Sequence, residues 1–303
     1  MVNKLTSPTE VKRLIDQYRF PVRKKLGQNF LVDENILKMI LEAAQLEKQT
    51  KVLEIGSGFG TLTIALAEQA GQVISIEIDP MLIPILQTAL SVYPNIRLIH
   101  ADALKVDYSA LFAAEEEVTI AANLPYYITS PLIVQLMQAP FRLRKMVILV
   151  QKEVGDRLLA QADTEEYGSL SVFVQSTAKV ELVCKAPRTV FYPSPKVDSV
   201  VIAITPDLNL QNKVVSMELL ELTNRAIFGQ RRKTISNSLK NSPYWTVAAE
   251  DVQQVLSELA IDSRLRGEVL PPNQIVSLAN ALTKIVCVQE HQHKKENHHR
   301  ETE

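Results

Sequence analysis

The sequence predicts an α/β fold, with a mostly parallel sheet covered by helices on both faces and a small all-α domain at the C-terminal end. Three observations predict it. Short apolar runs alternate with helical patterns over the first part of the chain, and strands buried on both faces read as such runs. After residue 212 the apolar period is helical throughout. Between the two patterns stands Thr205-Pro206-Asp207, a breaker. A length of 303 residues leaves room for two domains, one large and one small.

Residues 1–32 form a basic segment containing Lys12, Arg13, Arg19, Arg23, Lys24 and Lys25. Residues 33–46 place Ile36, Leu37, Ile40, Leu41 and Ala44 on one stripe, which predicts an amphipathic helix capped by Asp33. Strands are expected at 51–55, 72–76, 97–100, 118–122 and 145–150, with helices at 61–69 and 81–90 between the first three. Residues 179–184 and 197–204 read as two further strands that close the edge. Helices follow at 213–228, 231–240, 249–259 and 273–284. These expectations divide the chain into 1–206, 207–286 and a tail, 287–303.

Apolar residues make up 46% of the chain, enough for a large core, which excludes a disordered protein. No apolar run reaches the roughly 18 residues of a membrane span, and the N-terminus has no signal-type apolar region. A cytoplasmic protein is expected. Cys184 and Cys287 fit no metal or redox spacing and read as reduced thiols. His291, His293, His298 and His299 crowd a charged tail with nothing apolar to anchor it, so a solvated segment is expected there and no metal site. The net charge of −1 offers no general attraction for nucleic acid, but two basic clusters do so locally: the N-terminal one, and Arg225, Arg231, Arg232, Lys233 and Lys240.

Glu54-Ile55-Gly56-Ser57-Gly58-Phe59-Gly60 follows the first strand and opens a helix. Glycines there let the backbone turn tightly and approach a ligand. Glu77 ends the second strand, where a carboxylate can accept both hydroxyls of a ribose. Thr61 stands where a dinucleotide fingerprint needs its third glycine, which disfavours NAD. Asp102, after the third strand, can accept the 6-amino group of an adenine. Three such elements at three successive strand ends suit S-adenosylmethionine.

The fourth strand ends in Asn123-Leu124-Pro125-Tyr126-Tyr127. The exocyclic amine of adenine is a poor nucleophile because its lone pair is delocalised into the ring. The Asn123 side-chain oxygen and the Leu124 carbonyl, aimed by the rigid Pro125, can accept its hydrogens and pull the nitrogen toward sp3 character. Tyr126 can stack on an unstacked base.

These stretches resemble the bacterial small-subunit ribosomal RNA adenine dimethyltransferases, the KsgA or RsmA family, from about residue 23 to residue 282. The resemblance also rests on Leu26-Gly27-Gln28-Asn29-Phe30-Leu31, Ile76-Glu77-Ile78-Asp79, Phe191-Tyr192-Pro193-Ser194-Pro195-Lys196-Val197-Asp198-Ser199 and Phe228-Gly229-Gln230-Arg231-Arg232-Lys233-Thr234. It implies a Rossmann-like class I methyltransferase that dimethylates two adjacent adenosines in the 3′-terminal hairpin loop of 16S RNA. The substrate it implies is an immature 30S subunit, and the protein a monomer with no obligate protein partner. Asn29, Leu31, Gly56, Glu77, Asp102 and Asn123 would contact the cofactor. Asn123, Leu124, Pro125 and Tyr126 would hold the target base, with Phe191 as a second aromatic wall. Arg231, Arg232 and Lys233 would face RNA, although position 229 is Gly where the resemblance leads one to expect a larger polar residue. Two other functions compete. A 23S adenine methylase of the antibiotic-resistance type shares the Asn-Leu-Pro-Tyr turn but not the Phe-Gly-Gln-Arg-Arg-Lys stretch. A binding protein for RNA or promoter DNA without chemistry has no need of a complete cofactor pocket.

Overall fold

The computed structural model describes residues 4–230 and 232–288. Two compact units divide them: 4–159 with Thr177–Asp207, and Ala160–Ser176 with 208–288. The first unit contains α1 (Pro8–Gln17), β1 (Phe30–Leu31), α2 (Glu34–Ala44), β2 (Lys51–Ile55), α3 (Thr61–Gln69), β3 (Gln72–Glu77), α4 (Ile83–Leu90), β4 (Ile96–His100), β5 (Glu117–Asn123), α5 (Thr129–Met137), β6 (Arg142–Gln151) and α6 (Lys152–Leu159). Within the second unit lies α7 (Ser169–Gln175), after which β7 (Ala178–Ala186), β8 (Phe191–Tyr192) and β9 (Ser199–Pro206) return to the first. The second unit continues with α8 (Leu208–Gln211), α9 (Met217–Phe228), α10 (Ile235–Lys240), β10 (Trp245–Thr246), α11 (Ala249–Glu258), α12 (Pro272–Leu282) and β11 (Cys287–Val288).

Seven strands form one sheet in the order β4-β3-β2-β5-β6-β9-β7. The first five run parallel, and β9 and β7 close the edge antiparallel. This is the mostly parallel α/β sheet expected. The strand order reverses between β2 and β5, so their C-terminal ends diverge there and open a crevice. On β6 and β9, Val147, Leu149, Val201 and Ala203 pack with Ile36, Leu37 and Ile40 of α2 and Leu62 and Leu66 of α3. The alternate residues Ile148, Val150, Val200 and Ile202 are buried as well, so both faces of the sheet are covered. Asp33 caps α2, its carboxylate accepting from the Ile36 N–H at 2.9 Å.

A second cluster joins the N-terminal segment to the ligand end of the sheet: Val11, Phe20, Phe30 and Phe59 pack with Leu82 and Leu86. Phe30 and Phe59 approach to 4.6 Å between ring centroids. The pairing of β1 with β8 adds to this, setting Phe30 opposite Tyr192 and Leu31 opposite Phe191.

The helical unit has its own core. Leu220 of α9, Leu239 of α10, Leu256 of α11 and Ile275 and Leu278 of α12 are buried together with Trp245. Residues 160–176 belong to it: Tyr167 and Val172 join that core, and the Tyr167 hydroxyl donates to the Leu270 carbonyl at 2.8 Å. The expected division put this segment with the sheet. It is a short excursion between two elements of the first unit, α6 and β7, and no breaker marks its ends in the sequence.

Candidate active site

A cleft of roughly 910 Å3, open solvent included, lies at the C-terminal ends of β2, β3, β4 and β5. Its floor is the loop from Gly56 to Gly60. Gly56, Gly58 and Gly60 all have positive φ, at 82°, 57° and 90°. L-residues with side chains rarely adopt that backbone, and at Gly58 a β-carbon would also come within 3.1 Å of the Phe30 ring. The loop is braced from below. Glu54 is fully buried, its Oε2 accepting from the Thr63 hydroxyl at 2.6 Å and from the Ser75 hydroxyl. Burial pushes the Glu54 carboxyl up to about 7, against the lowering effect of those two donors. Ser75 Oγ lies 2.6 Å from Ser57 Oγ, which lines the cleft.

Glu77 ends β3 and lines the cleft. Its Oε2 accepts from the Gly58 N–H at 3.0 Å and its Oε1 from the Asp79 N–H at 2.9 Å. Those bonds fix the carboxylate plane and leave further lone pairs for a ligand. Burial raises its pKa, and the two backbone donors oppose the rise. Asp102 lines the cleft just past β4, held by the Leu104 N–H at 3.0 Å.

Asn123 ends β5. Its Nδ2 donates to the Asn29 carbonyl at 3.0 Å, which fixes the amide and leaves Oδ1 as the atom available to accept. The Leu124 N–H donates to Leu149 at 3.1 Å, carrying the ladder past the strand end, while the Leu124 carbonyl takes no hydrogen bond among the described residues. Pro125 turns the chain, and its own carbonyl accepts from Ile128 and Thr129. Tyr126 and Tyr127 both line the cleft. The Tyr126 hydroxyl sits 3.1 Å from Ser199 Oγ, and burial raises its pKa. Tyr127 is half exposed, and its pKa is raised by burial and then by the charges of Asp102 and Glu77.

The structure therefore brings Asn29, Leu31, Gly56, Glu77, Asp102, Asn123, Leu124, Pro125 and Tyr126 to one cleft. It does not bring Phe191 there. That side chain is 3% exposed and packs in the apolar cluster with Leu31, Ile36 and Leu37. Its antiparallel pairing with Leu31 commits the ring to the core, so it supports the cleft from behind and does not wall it. Sequence reasoning missed Tyr127, the neighbour of a residue it chose. It also missed Gln28 and Asp79, which lie inside two of the stretches that carried the resemblance. Their partnership joins residues far apart in the chain and leaves no local signal.

Of the second basic cluster, Arg231 lies outside the described residues, while Arg232 and Lys233 are exposed. Arg225 is engaged by Glu221 at 2.5 Å. In the N-terminal cluster Arg13 pairs with Glu10 at 2.7 Å and Arg23 with Asp79 at 3.4 Å. Among the described residues no helix is long and apolar enough to cross a membrane, and no group of three or more metal-binding side chains is found. The histidine tail lies outside those residues.

Such a cleft can hold a nucleoside by its ribose and base, and it presents acceptors and aromatic faces to a second group at the β5 turn. Known proteins resemble the chain. Residues 19–284 match the family described as ribosomal RNA adenine dimethylase. The protein described as ribosomal RNA small subunit methyltransferase A from Geobacillus thermodenitrificans (strain NG80-2) is 44% identical over 289 residues, covering 94% of this chain and 99% of that one. Its counterpart from Geobacillus sp. (strain WCH70) is 42% identical over 287 residues, covering 93% of this chain and 99% of the other. Among solved structures, a dimethyladenosine transferase from Plasmodium falciparum superposes with a TM-score of 0.72 at 28% identity, over 84% of this chain and 98% of that one. The 23S rRNA methyltransferase ErmE gives 0.63 at 29% identity, over 84% and 100%. With a family match spanning both units and near-full-length relatives above 40% identity, the chain belongs to the ribosomal RNA adenine dimethylase family.

Proposed function

We propose that the protein uses S-adenosylmethionine to dimethylate the N6 amines of two adjacent adenosines in the 3′-terminal hairpin loop of 16S RNA, as a monomer acting on an immature 30S subunit. One observation carries the reading: the Asn123 amide is held by the Asn29 carbonyl with its oxygen free, in the same cleft as Glu77 and Asp102.

The residues fit the cofactor. Positive-φ glycines clear the floor for its amino-acid end, Glu77 offers acceptors to the ribose and Asp102 to the adenine amine. The burial of Glu77 also favours a cationic ligand, since a nearby positive charge offsets the cost of keeping that carboxylate ionised. When bound, the cofactor supplies an electrophilic methyl group on a sulfonium.

The chain's own part is positioning. Asn123 Oδ1 and the Leu124 carbonyl accept the N6 hydrogens and turn the nitrogen lone pair away from the ring. Pro125 keeps the carbonyl aimed. Tyr126 and Tyr127 offer aromatic faces to the extruded base, and stacking offsets part of the cost of extruding it. Arg232 and Lys233, with Arg231, are assigned to phosphate contact.

The deciding experiment is nucleoside mass spectrometry of 16S RNA after incubation of the protein and S-adenosylmethionine with undermethylated small subunits. A doublet of dimethyladenosine is expected. Modification of 23S RNA instead would sink the substrate assignment. For the basic stretch, replacing Arg231, Arg232 and Lys233 together should flatten the salt dependence of subunit binding by about 0.7–0.9 logarithmic units per lost contact. An unchanged slope would make it an ordinary solvated surface.

A further inference from the structure

The segment from Arg23 to Leu31 lines the cleft through residues 26–31 as a strap, and besides the β1–β8 pairing at its end three ties hold it. At its centre, the Asn29 carbonyl accepts from Asn123 Nδ2 at 3.0 Å. Next to that tie, Gly27 has a φ of 64°, and a β-carbon there would lie 3.2 Å from the Tyr126 nitrogen, so the strap packs directly on the β5 turn. The third tie is made by Gln28. Its Oε1 accepts from the Arg23 N–H at 2.7 Å, closing the strap on itself, and its Nε2 donates to Asp79 Oδ2 at 2.7 Å.

Asp79 is fully buried, and a buried carboxylate is retained only with several partners. Here it has four. Besides Gln28 it takes the Met81 N–H at 3.0 Å and the Arg23 guanidinium at 3.4 Å, both on Oδ1, while its own N–H donates to Glu77 Oε1 at 2.9 Å. Asp79 thus touches both the strap and the carboxylate that faces the ribose position. Gln28 is adjacent to Asn29, whose carbonyl orients the target-side amide.

We propose that Gln28 and Asp79 are positioning residues: their hydrogen bond latches the strap so that one backbone segment aligns Glu77 at the cofactor end and Asn123 at the target end. This rests on the cofactor reading above. The latch makes a distinctive demand. Gln28 must accept on one side and donate on the other, and Asp79 must accept from it. Exchanging the acid and the amide preserves that pattern: a glutamate at 28 still accepts from the Arg23 N–H, and an asparagine at 79 donates to it through Nδ2 while Oδ1 still accepts from Met81.

The test is a double-mutant cycle of Gln28→Glu and Asp79→Asn, with calorimetric affinity for S-adenosylhomocysteine as the readout and single-turnover methylation of undermethylated subunits as a second. Gln28→Glu sets two carboxylates face to face and is expected to raise the dissociation constant about tenfold or more. Asp79→Asn opposes two amides and should weaken binding in the same direction. The double variant is expected to return to within a few-fold of the wild type in both affinity and methylation rate. Gln28→Ala, which leaves Asp79 its other partners, is expected to keep the fold and should lower both readouts, because the strap then loses its latch and keeps only its other ties. Additive losses in the double variant, or wild-type affinity and rate in Gln28→Ala, would overturn the latch. A wild-type protein that gives no binding heat with S-adenosylhomocysteine overturns the cofactor reading, and the latch with it.

Discussion

The two ends of the cleft are built differently. The end proposed for the cofactor is built mainly from short-range elements: the Gly56–Gly60 loop, Glu77 and Asp102 follow three successive strands, and the longer ties among them, such as Glu77 to the Gly58 N–H, stay within neighbouring strand ends. The target end is assembled from afar. Asn123 is oriented by Asn29, Tyr126 is anchored by Ser199, and the strap is fixed by Asp79. Local geometry comes with the strand–turn–helix unit itself, whereas distant ties exist only once the sheet and strap are in place. The first kind of site should tolerate small shifts of the fold, and the second should not.

Asn123→Ala tests that contrast at its most sensitive point and should give the largest effect. It removes both the proposed acceptor for the target amine and the donor that ties the β5 turn to the strap. Loss of one preorganised group at a reacting centre costs about a hundred- to a thousandfold in rate. Both methylation steps should fall by that order, while affinity for S-adenosylhomocysteine falls less, by the roughly tenfold expected when one tie of the strap is lost. Single-turnover kinetics alongside calorimetry separates the two, and an equal loss in both would mean that the ends of the cleft are not distinct.

Glu77→Ala strikes the local end. A ligand hydroxyl bound to a charged acceptor contributes about 1.5–3 kcal/mol, so the dissociation constant should rise roughly ten- to a hundredfold. Calorimetry showing unchanged affinity in a folded variant would remove Glu77 from the site.

How far each end was legible follows from the same contrast. The strands, the α2 cap at Asp33, the glycine loop, Glu77 and Asp102 are all written in short-range patterns, and the structure places them at the expected positions. The Asn123–Tyr126 turn was legible for the same reason. Phe191 was misplaced because its environment depends on the β1–β8 pairing, two-residue strands from opposite ends of the unit with no periodicity to read. The excursion of residues 160–176 was missed because its core partners come much later in the chain. In the sequence Glu54 is only the first residue of the glycine motif, and its burial against Thr63 and Ser75 exists only once the sheet is formed.

That burial has a consequence for stability at the local end. The folded chain holds the Glu54 proton more tightly than the unfolded chain, with a pKa of about 7 against an ordinary 4.5. Below the ordinary value both states carry the proton and the carboxyl imposes no cost. As pH rises from there through about 7, the unfolded state gives up its proton first, and stability is lost. The loss should be on the order of 1–3 kcal/mol between pH 5 and pH 8. Glu54→Gln, neutral throughout, should lack it. Urea unfolding of both proteins at the two pH values measures the difference, and parallel pH dependences would show that Glu54 is ionised in the folded chain at no cost.

The smallest expected effect lies at Ser199, and it probes the distant end most finely. Ser199 is 1% exposed on β9, and its hydroxyl sits 3.1 Å from that of Tyr126. The first methyl transfer starts from an amine with two hydrogens, which Asn123 Oδ1 and the Leu124 carbonyl can share. One hydrogen remains for the second transfer, so only one acceptor can hold the amine, and the aromatic face must do more of the positioning. A Tyr126 ring released from Ser199 should therefore harm the second step more than the first. A neutral hydrogen bond contributes about 0.5–1.5 kcal/mol, so Ser199→Ala should shift the partition by roughly two- to tenfold and leave monomethyladenosine. Ser199→Thr keeps the hydroxyl and should restore the wild-type ratio, which a general loosening of β9 would not predict. Nucleoside mass spectrometry after limited reaction reads the outcome. If Ser199→Ala lowers total conversion but keeps the wild-type ratio of mono- to dimethyladenosine, Tyr126 does not hold the base for the second transfer, and the distant tie to Ser199 serves only the packing of the sheet edge.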